Sequence, residues 1–195
     1  MPRWSPARED VLEALAAEIL THYAKGRVAV AVEGAEGSGS RAFASDLAAV
    51  LVRRGHAAVT AHIDDFQRPR AERGADTAEG RYRDAFDYSV FRRVLIDPFR
   101  LGGSAAFVLA AFDADADQPI EPTWTTAPAN AILLVEGEFL LRPDLRAIWN
   151  FSVWLDGPGE PLAAYTADAQ PRTRASAIID ATDPEHPRRV FADSC

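Results

Sequence analysis

The chain has 195 residues, of which 48% are hydrophobic and 26% charged, which is enough to bury a core and excludes a disordered or fibrous protein. Lys plus Arg number 21 against 29 Asp plus Glu, a net charge of −8. That balance speaks against nucleic acid and anionic membranes as partners and leaves room for a local anion pocket.

Lys25 is the only lysine, and Cys195 is the only cysteine. An intrachain disulfide and a CxxC-type zinc site are therefore excluded. The N-terminal Met1-Pro2-Arg3-Trp4-Ser5-Pro6 lacks the apolar run of a signal peptide, and no apolar stretch is long enough to span a bilayer. The expectation is a cytoplasmic protein with one domain over 1–195.

Residues 7–24 carry Val11, Leu12, Leu15, Ala16, Ile19, Leu20 and Tyr23 at helical spacing. Residues 27–33 form an apolar, β-branched run that suits a buried parallel strand. A glycine cluster follows, then helical periodicity over 42–54 and a second buried strand over 57–63. Strand, glycine loop, helix and strand make a right-handed βαβ unit. Residues 67–83 are polar and arginine-rich and read as a loop outside the core. Helical spacing resumes over 88–95, with Pro98 as its stop. Residues 105–112 read as a strand, 113–117 as a turn and 120–125 as a returning hairpin arm. Asp113, Asp115 and Asp117 lack the glycine and closing glutamate of a calcium loop, so a solvated turn is expected. Further strands are expected over 131–136, 150–155 and 175–179. Short helical segments lie over 143–149 and 159–167, and a polar tail covers 180–195. Strands alternating with helices predict a three-layer α/β fold. Its parallel sheet has five strands, with the strand before the glycine loop at the centre.

Three constellations carry chemistry. Gly34-Ala35-Glu36-Gly37-Ser38-Gly39-Ser40-Arg41 lies between a strand and a helix, where backbone N–H groups converge on an anion. Gly34 and Gly39 fit GxxxxG, but Ser40 and Arg41 stand where a phosphate loop has Lys and Ser/Thr. The structural alternative is a glycine-rich turn that lets strand meet helix. His62-Ile63-Asp64-Asp65-Phe66 ends the second strand, where ligands of open α/β sheets bind. A carboxylate there suits a base that accepts a hydroxyl proton, or it caps the next turn; His62 reads as a packed strand residue. Leu133-Leu134-Val135-Glu136-Gly137 has the form of an apolar strand ending in an acidic residue near magnesium, or in a solvated glutamate.

The segments Asp64-Asp65-Phe66-Gln67-Arg68-Pro69-Arg70, Arg81-Tyr82-Arg83-Asp84-Ala85-Phe86-Asp87-Tyr88 and Leu95-Ile96-Asp97-Pro98 resemble the uridine kinase family within the phosphoribulokinase/uridine kinase group of P-loop kinases. The 112–122 hairpin, Val135-Glu136-Gly137 and Asp180-Ala181-Thr182-Asp183-Pro184 resemble its actinobacterial-type branch. The resemblance covers residues 27–156 and 172–190. It implies a P-loop NTPase fold with a small β-hairpin excursion. It also implies ATP-dependent phosphoryl transfer to the 5′-hydroxyl of a nucleoside or related small-molecule acceptor. Asp64 then matches the catalytic aspartate. Phe66, Tyr82, Asp84, Phe86 and Asp87 fall in the acceptor-binding region. Gly34, Gly37, Ser38, Gly39, Ser40 and Arg41 form the phosphate loop, and Glu136 with Ser40 stands near the metal. ATP and Mg2+ are the implied cofactors of an active enzyme, with phosphate or sulfate in the loop otherwise. A homodimer is compatible with this reading.

Two departures weaken the donor side. The loop has no Lys-[ST] pair. The segment 157–174 is too short for the family's arginine-bearing lid, and its Arg172 and Arg174 match the stretch before the last strand instead. The expectation is impaired catalysis. The alternative is a nucleotide- or anion-binding regulatory or structural protein with a vestigial kinase site.

Overall fold

The computed structural model describes residues 7–23, 25–75 and 77–191. The expectations for residues 1–6 and Cys195 lie outside them. Helix α1 (Arg8–His22) precedes strand β1 (Val28–Gly34), helix α2 (Ser40–Arg53) and strand β2 (Ala58–His62). Every residue of β1 is buried, as is every residue of the later strand Ile132–Gly137. Such runs form because a parallel strand in a three-layer fold is covered on both faces.

After β2 come two single 3-10 turns, Ile63–Phe66 and Arg70–Glu72, and helix α3 (Ala78–Asp84). A helical stretch then runs through α4 (Tyr88–Phe91), a π turn (Arg92–Ile96) and α5 (Asp97–Leu101). The hairpin excursion consists of two separate ladders. Strand β3 (Phe107–Val108) pairs with β6 (Trp124–Thr125), and β4 (Phe112–Asp113) pairs with β5 (Gln118–Pro119). Strand β7 (Ile132–Gly137), a 3-10 helix (Pro143–Ile148), β8 (Phe151–Asp156), α6 (Ala163–Ala169), α7 (Pro171–Arg174), β9 (Ala177–Asp180) and β10 (Arg188–Val190) complete the order.

The main sheet runs β10-β9-β8-β1-β7-β2. The five expected strands are parallel, and β1 is interior as expected. The sheet has a sixth strand: β10 pairs antiparallel with β9, Arg188 opposite Asp180. Its two arginines are exposed, so this edge carries charge rather than an apolar signature.

Alternate residues of the strands face opposite layers. Val28, Val30, Val32, Ile132 and Leu134 pack with Leu15, Ile19, Phe43 and Leu47 of α1 and α2. Ala31, Leu133, Val135 and Trp154 pack with Phe66, Phe86, Phe91, Leu95 and Phe99. Among the described residues no helix is long and apolar enough to cross a membrane.

Two helix expectations are corrected. Residues 78–83 of the polar stretch are helical, as part of α3, with Thr77 accepting a hydrogen bond from the Gly80 N–H at 3.0 Å and Tyr82 buried. Pro98 lies inside the helical stretch instead of stopping it. Proline lacks an N–H, and the preceding turn widens so that Asp97 N–H bonds the carbonyl of Arg92 five residues back.

Arg27, just before β1, ties the excursion to the sheet. Its guanidinium donates to the carbonyls of Phe99 at 2.9 Å, Gly103 at 3.2 Å and Pro128 at 3.2 Å, and also to that of Ala127. It stacks 5.3 Å from the Phe99 ring centre and 5.9 Å from that of Phe107. Arg27→Ala is expected to cost about 2–3 kcal/mol of stability in urea unfolding, because several carbonyls lose a charged donor. Arg27→Lys should recover less than half of that, since an ammonium lacks the planar fork. A loss below about 0.5 kcal/mol, the size of an ordinary surface change, would contradict this clamp.

Candidate functional site

Strands β1, β2 and β7 end together, and α2 starts from the same level. The loop between β1 and α2 turns through Gly37 and Gly39, with φ of +81° and +83°, a backbone region that L side chains rarely adopt. Gly34 meets a different demand. A Cβ there would stand 2.4 Å from Ser38 Oγ. Ser38 is buried beneath the loop, and its hydroxyl has no hydrogen-bond partner in the structure. The first N–H groups of α2 have no partner within the helix and point out of its N-terminus. Lys25 is exposed at the opposite end of β1, seven strand residues away, so the chain's one lysine does not reach the loop.

Glu136 shares a face of β7 with Ile132 and Leu134, which pack on the α1–α2 layer. Continuing that alternation brings its carboxylate to the start of α2. Ser40 Oγ donates to Glu136 Oε2 at 3.2 Å, and Arg41 Nε donates to Oε1 at 3.2 Å. The parallel register sets His62 of β2 directly beside Glu136. His62 Nδ1 stands 2.7 Å from Glu136 Oε1 and 3.3 Å from its main-chain oxygen, while Nε2 stands 2.8 Å from Asp64 Oδ2. Gln67 Nε2 donates to the other Asp64 oxygen at 2.9 Å. A continuous chain of polar contacts thus runs from the glycine loop to the end of β2.

Both ring nitrogens of His62 face acceptors, an arrangement that favours the doubly protonated ring. Burial alone would lower the pKa of His62. The hydrogen bonds and charges of Asp64 and Glu136 outweigh it and push the value up to about 10. Burial likewise works to raise Asp64, but the hydrogen bond and charge of His62, with Gln67 and Arg81, hold its carboxyl below the usual range. Asp65 has no such set of donors, and burial raises it. Behind the loop, burial pushes Glu33 up to about 8. Its Oε2 accepts the Leu141 N–H at 2.6 Å, which anchors the segment after β7.

Two cavities meet here. The smaller, about 290 Å3, is lined by the glycine loop, Arg41, His62, Asp64, Arg81 and Glu136. The larger, about 740 Å3, lies between the loop and the hairpin tip, with Gln67, Arg70, Arg73, Arg81 and Asp115 in its wall. Arg81 and Glu36 belong to both. Arg81 of α3 reaches Glu36 of the loop at 3.2 Å and Glu138 beyond β7 at 2.9 Å. The segment after β8 covers the loop from the other side. A Cβ on Gly159 would stand 2.3 Å from the Glu36 carbonyl, and one on Gly157 would stand 3.1 Å from that of Ser38.

Asp64, Glu136 and residues 34–41 come together as the sequence suggests. The other site residues do not. Phe66, Tyr82 and Phe86 are core residues. Tyr82 packs among Phe139 and Tyr165, with ring centres 5.1 Å from each, and its hydroxyl bonds Asp168. Asp87 caps α4 through the N–H groups of Ser89 and Val90. Asp84 lies against Gly74. The cleft-facing aromatic set is therefore replaced by Gln67 and three arginines. Ser40, expected near a metal with Glu136, bonds that carboxylate. Sequence reasoning misses His62, Arg81 and Glu138 as members of the site. The signal for His62 is its place at a strand end level with Glu136.

Solved structures share this architecture. A possible uridine kinase from Bacillus stearothermophilus superposes with a TM-score of 0.76 at 23% identity, over 88% of this chain and 98% of that one. A candidate fructose transport system kinase from Silicibacter sp. TM1040 gives 0.59 at 28% identity, over 80% and 78%. D-glycerate 3-kinase from Cryptococcus neoformans gives 0.54 at 12% identity, over 84% and 77%. The chain has a P-loop kinase-like fold. No family model matches the sequence, and no curated protein matches it.

The charge of His62 has a pH signature. Its folded value of about 10 exceeds the ordinary 6.5. Its stabilising contribution is therefore complete below about pH 6.5 and is lost as pH rises toward 10. NMR should show an imidazolium ring at pH 8. The stability advantage of the wild type over His62→Gln should shrink between about pH 6 and pH 10. A neutral ring at pH 8, or a constant gap, would contradict the geometry described.

Proposed function

We propose that the chain is a uridine kinase-like P-loop protein whose phosphoryl-transfer machinery is impaired on the donor side. In this reading the glycine loop takes a phosphate group through backbone N–H groups and the N-terminus of α2. The adjoining cleft takes a hydroxyl-bearing small molecule, with Asp64 turned toward it as the residue of the catalytic position. Support for the acceptor side comes from Asp64 at the strand end, beside a cleft open to the loop.

The observation that carries the impairment is the loop itself. Arg41 stands one residue past the place of the loop lysine and is tied at Nε to Glu136, and Lys25 lies at the far end of β1. Arg172 is engaged by Asp156 at 2.8 Å. Arg174 borders a separate cavity, beside Phe151 at the start of β8. Among the described residues of 157–174, neither arginine is placed on the loop. Cationic stabilisation of a transferring phosphoryl group is worth about 10³–10⁵ in rate.

Calorimetry with ATP and a uridine phosphorylation assay test this reading. Wild type should bind ATP with a Kd in about the millimolar range. Turnover should lie at least about 10³-fold below the roughly 1–100 s⁻¹ usual for kinases. Ser40→Lys combined with Arg41→Thr should tighten ATP binding by about tenfold, or about 1.4 kcal/mol. Micromolar binding with turnover in the wild type would contradict the impairment.

A further inference from the structure

The fold raises the question of a divalent cation bridging phosphate and carboxylate, and the side chains present do not fit one. Glu136 is buried, and each of its oxygens already meets a protein donor: Ser40 at Oε2, and Arg41 with His62 at Oε1. Both oxygens of Asp64 are likewise taken, by His62 and Gln67. The two carboxylates thus share one imidazole ring between them, and a guanidinium closes the loop side. A dication entering this space would have to displace bonded donors and sit beside the Arg41 guanidinium.

We infer that this is a metal-free site for a phosphate-bearing anion, in which Arg41 is the resident cation and His62 occupies the two carboxylates. The inference rests on the phosphate-loop reading above and specifies how that loop is balanced electrically. Arg41 is suited to the task. Only its Nε is bonded among the described residues, its side chain is 72% exposed, and it lines the loop cavity. Its terminal nitrogens therefore project a planar pair of donors beside the N-terminus of α2, a geometry that matches a phosphate. His62 lies deeper and bridges Glu136 and Asp64, which turns an oxygen of each carboxylate toward the ring and away from the loop cavity's free donors.

Two measurements test this on the intact chain. In the first, ATP is titrated with Mg2+ present and again in EDTA. The affinity should change by less than about threefold, whereas a site built around the metal would weaken by about tenfold or more. In the second, Mn2+ alone is titrated and followed by electron paramagnetic resonance. Wild type should bind it no tighter than about 1 mM. His62→Ala combined with Arg41→Ala, which uncovers Glu136 and Asp64, should gain Mn2+ affinity by about tenfold. Tighter Mn2+ binding by the wild type would overturn the inference whether or not the variant folds, and so would an ATP affinity that collapses in EDTA. Absence of ATP binding in both buffers would overturn the phosphate-loop reading, and with it the assignment of a phosphate ligand. Micromolar ATP binding with turnover that survives EDTA would refute the impaired kinase while upholding the metal-free site.

Discussion

The register between β2 and β7 sets His62 beside Glu136 at the carboxyl end of the sheet, and much of the site follows from that pairing. A buried carboxylate needs donors, because leaving its charge unpaired away from water is costly. Here the donors come from two directions: the neighbouring strand supplies His62, and the first turn of α2 supplies Ser40 and Arg41. The loop before α2 is therefore tied to the strands by side chains as well as by backbone. Shifting β2 by one residue would turn His62 to the opposite face and leave Glu136 without its inner partner.

The same pairing explains why the site is electrically self-contained. In a loop with lysine at position 40, the cation would come from the helix turn and would be free to meet a ligand. Arginine at position 41 commits one nitrogen to Glu136 and presents the others outward. Arg81 performs a related tie on the opposite rim, linking Glu36 of the loop to Glu138 after β7. Gly157 and Gly159 press the chain after β8 against the loop carbonyls. The loop is thus held from the helix, from α3 and from the segment after β8, before any ligand arrives.

The five parallel strands were legible because burial on both faces writes continuous apolar runs such as Val-Ala-Val-Ala-Val. Strand β10 was not, because an antiparallel edge with Arg188 and Arg189 exposed has no such run. Helix α3 was hidden by its polar surface, with Tyr82 its one buried side chain. Pro98 misled because a π turn absorbs the missing N–H, and that depends on packing rather than local pattern. In the site, the glycine loop, Asp64 and Glu136 were legible as residues at element ends. The partner choice was not. A histidine in a strand reads as packing until the register shows what stands opposite it. Phe66, Tyr82 and Phe86 carry the motif of an acceptor region, yet the core takes their rings, leaving Gln67, Arg70, Arg73 and Arg81 to face the cleft.

If the register organises the site in this way, His62 and Glu136 are energetically bound to each other rather than merely adjacent. A double-mutant cycle on folding stability, using His62→Ala, Glu136→Ala and the double variant at neutral pH, measures this directly. A buried pair of opposite charges predicts a coupling energy of about 1.5–3 kcal/mol. A coupling within about 0.5 kcal/mol of zero, the level at which independent sites add, would contradict it.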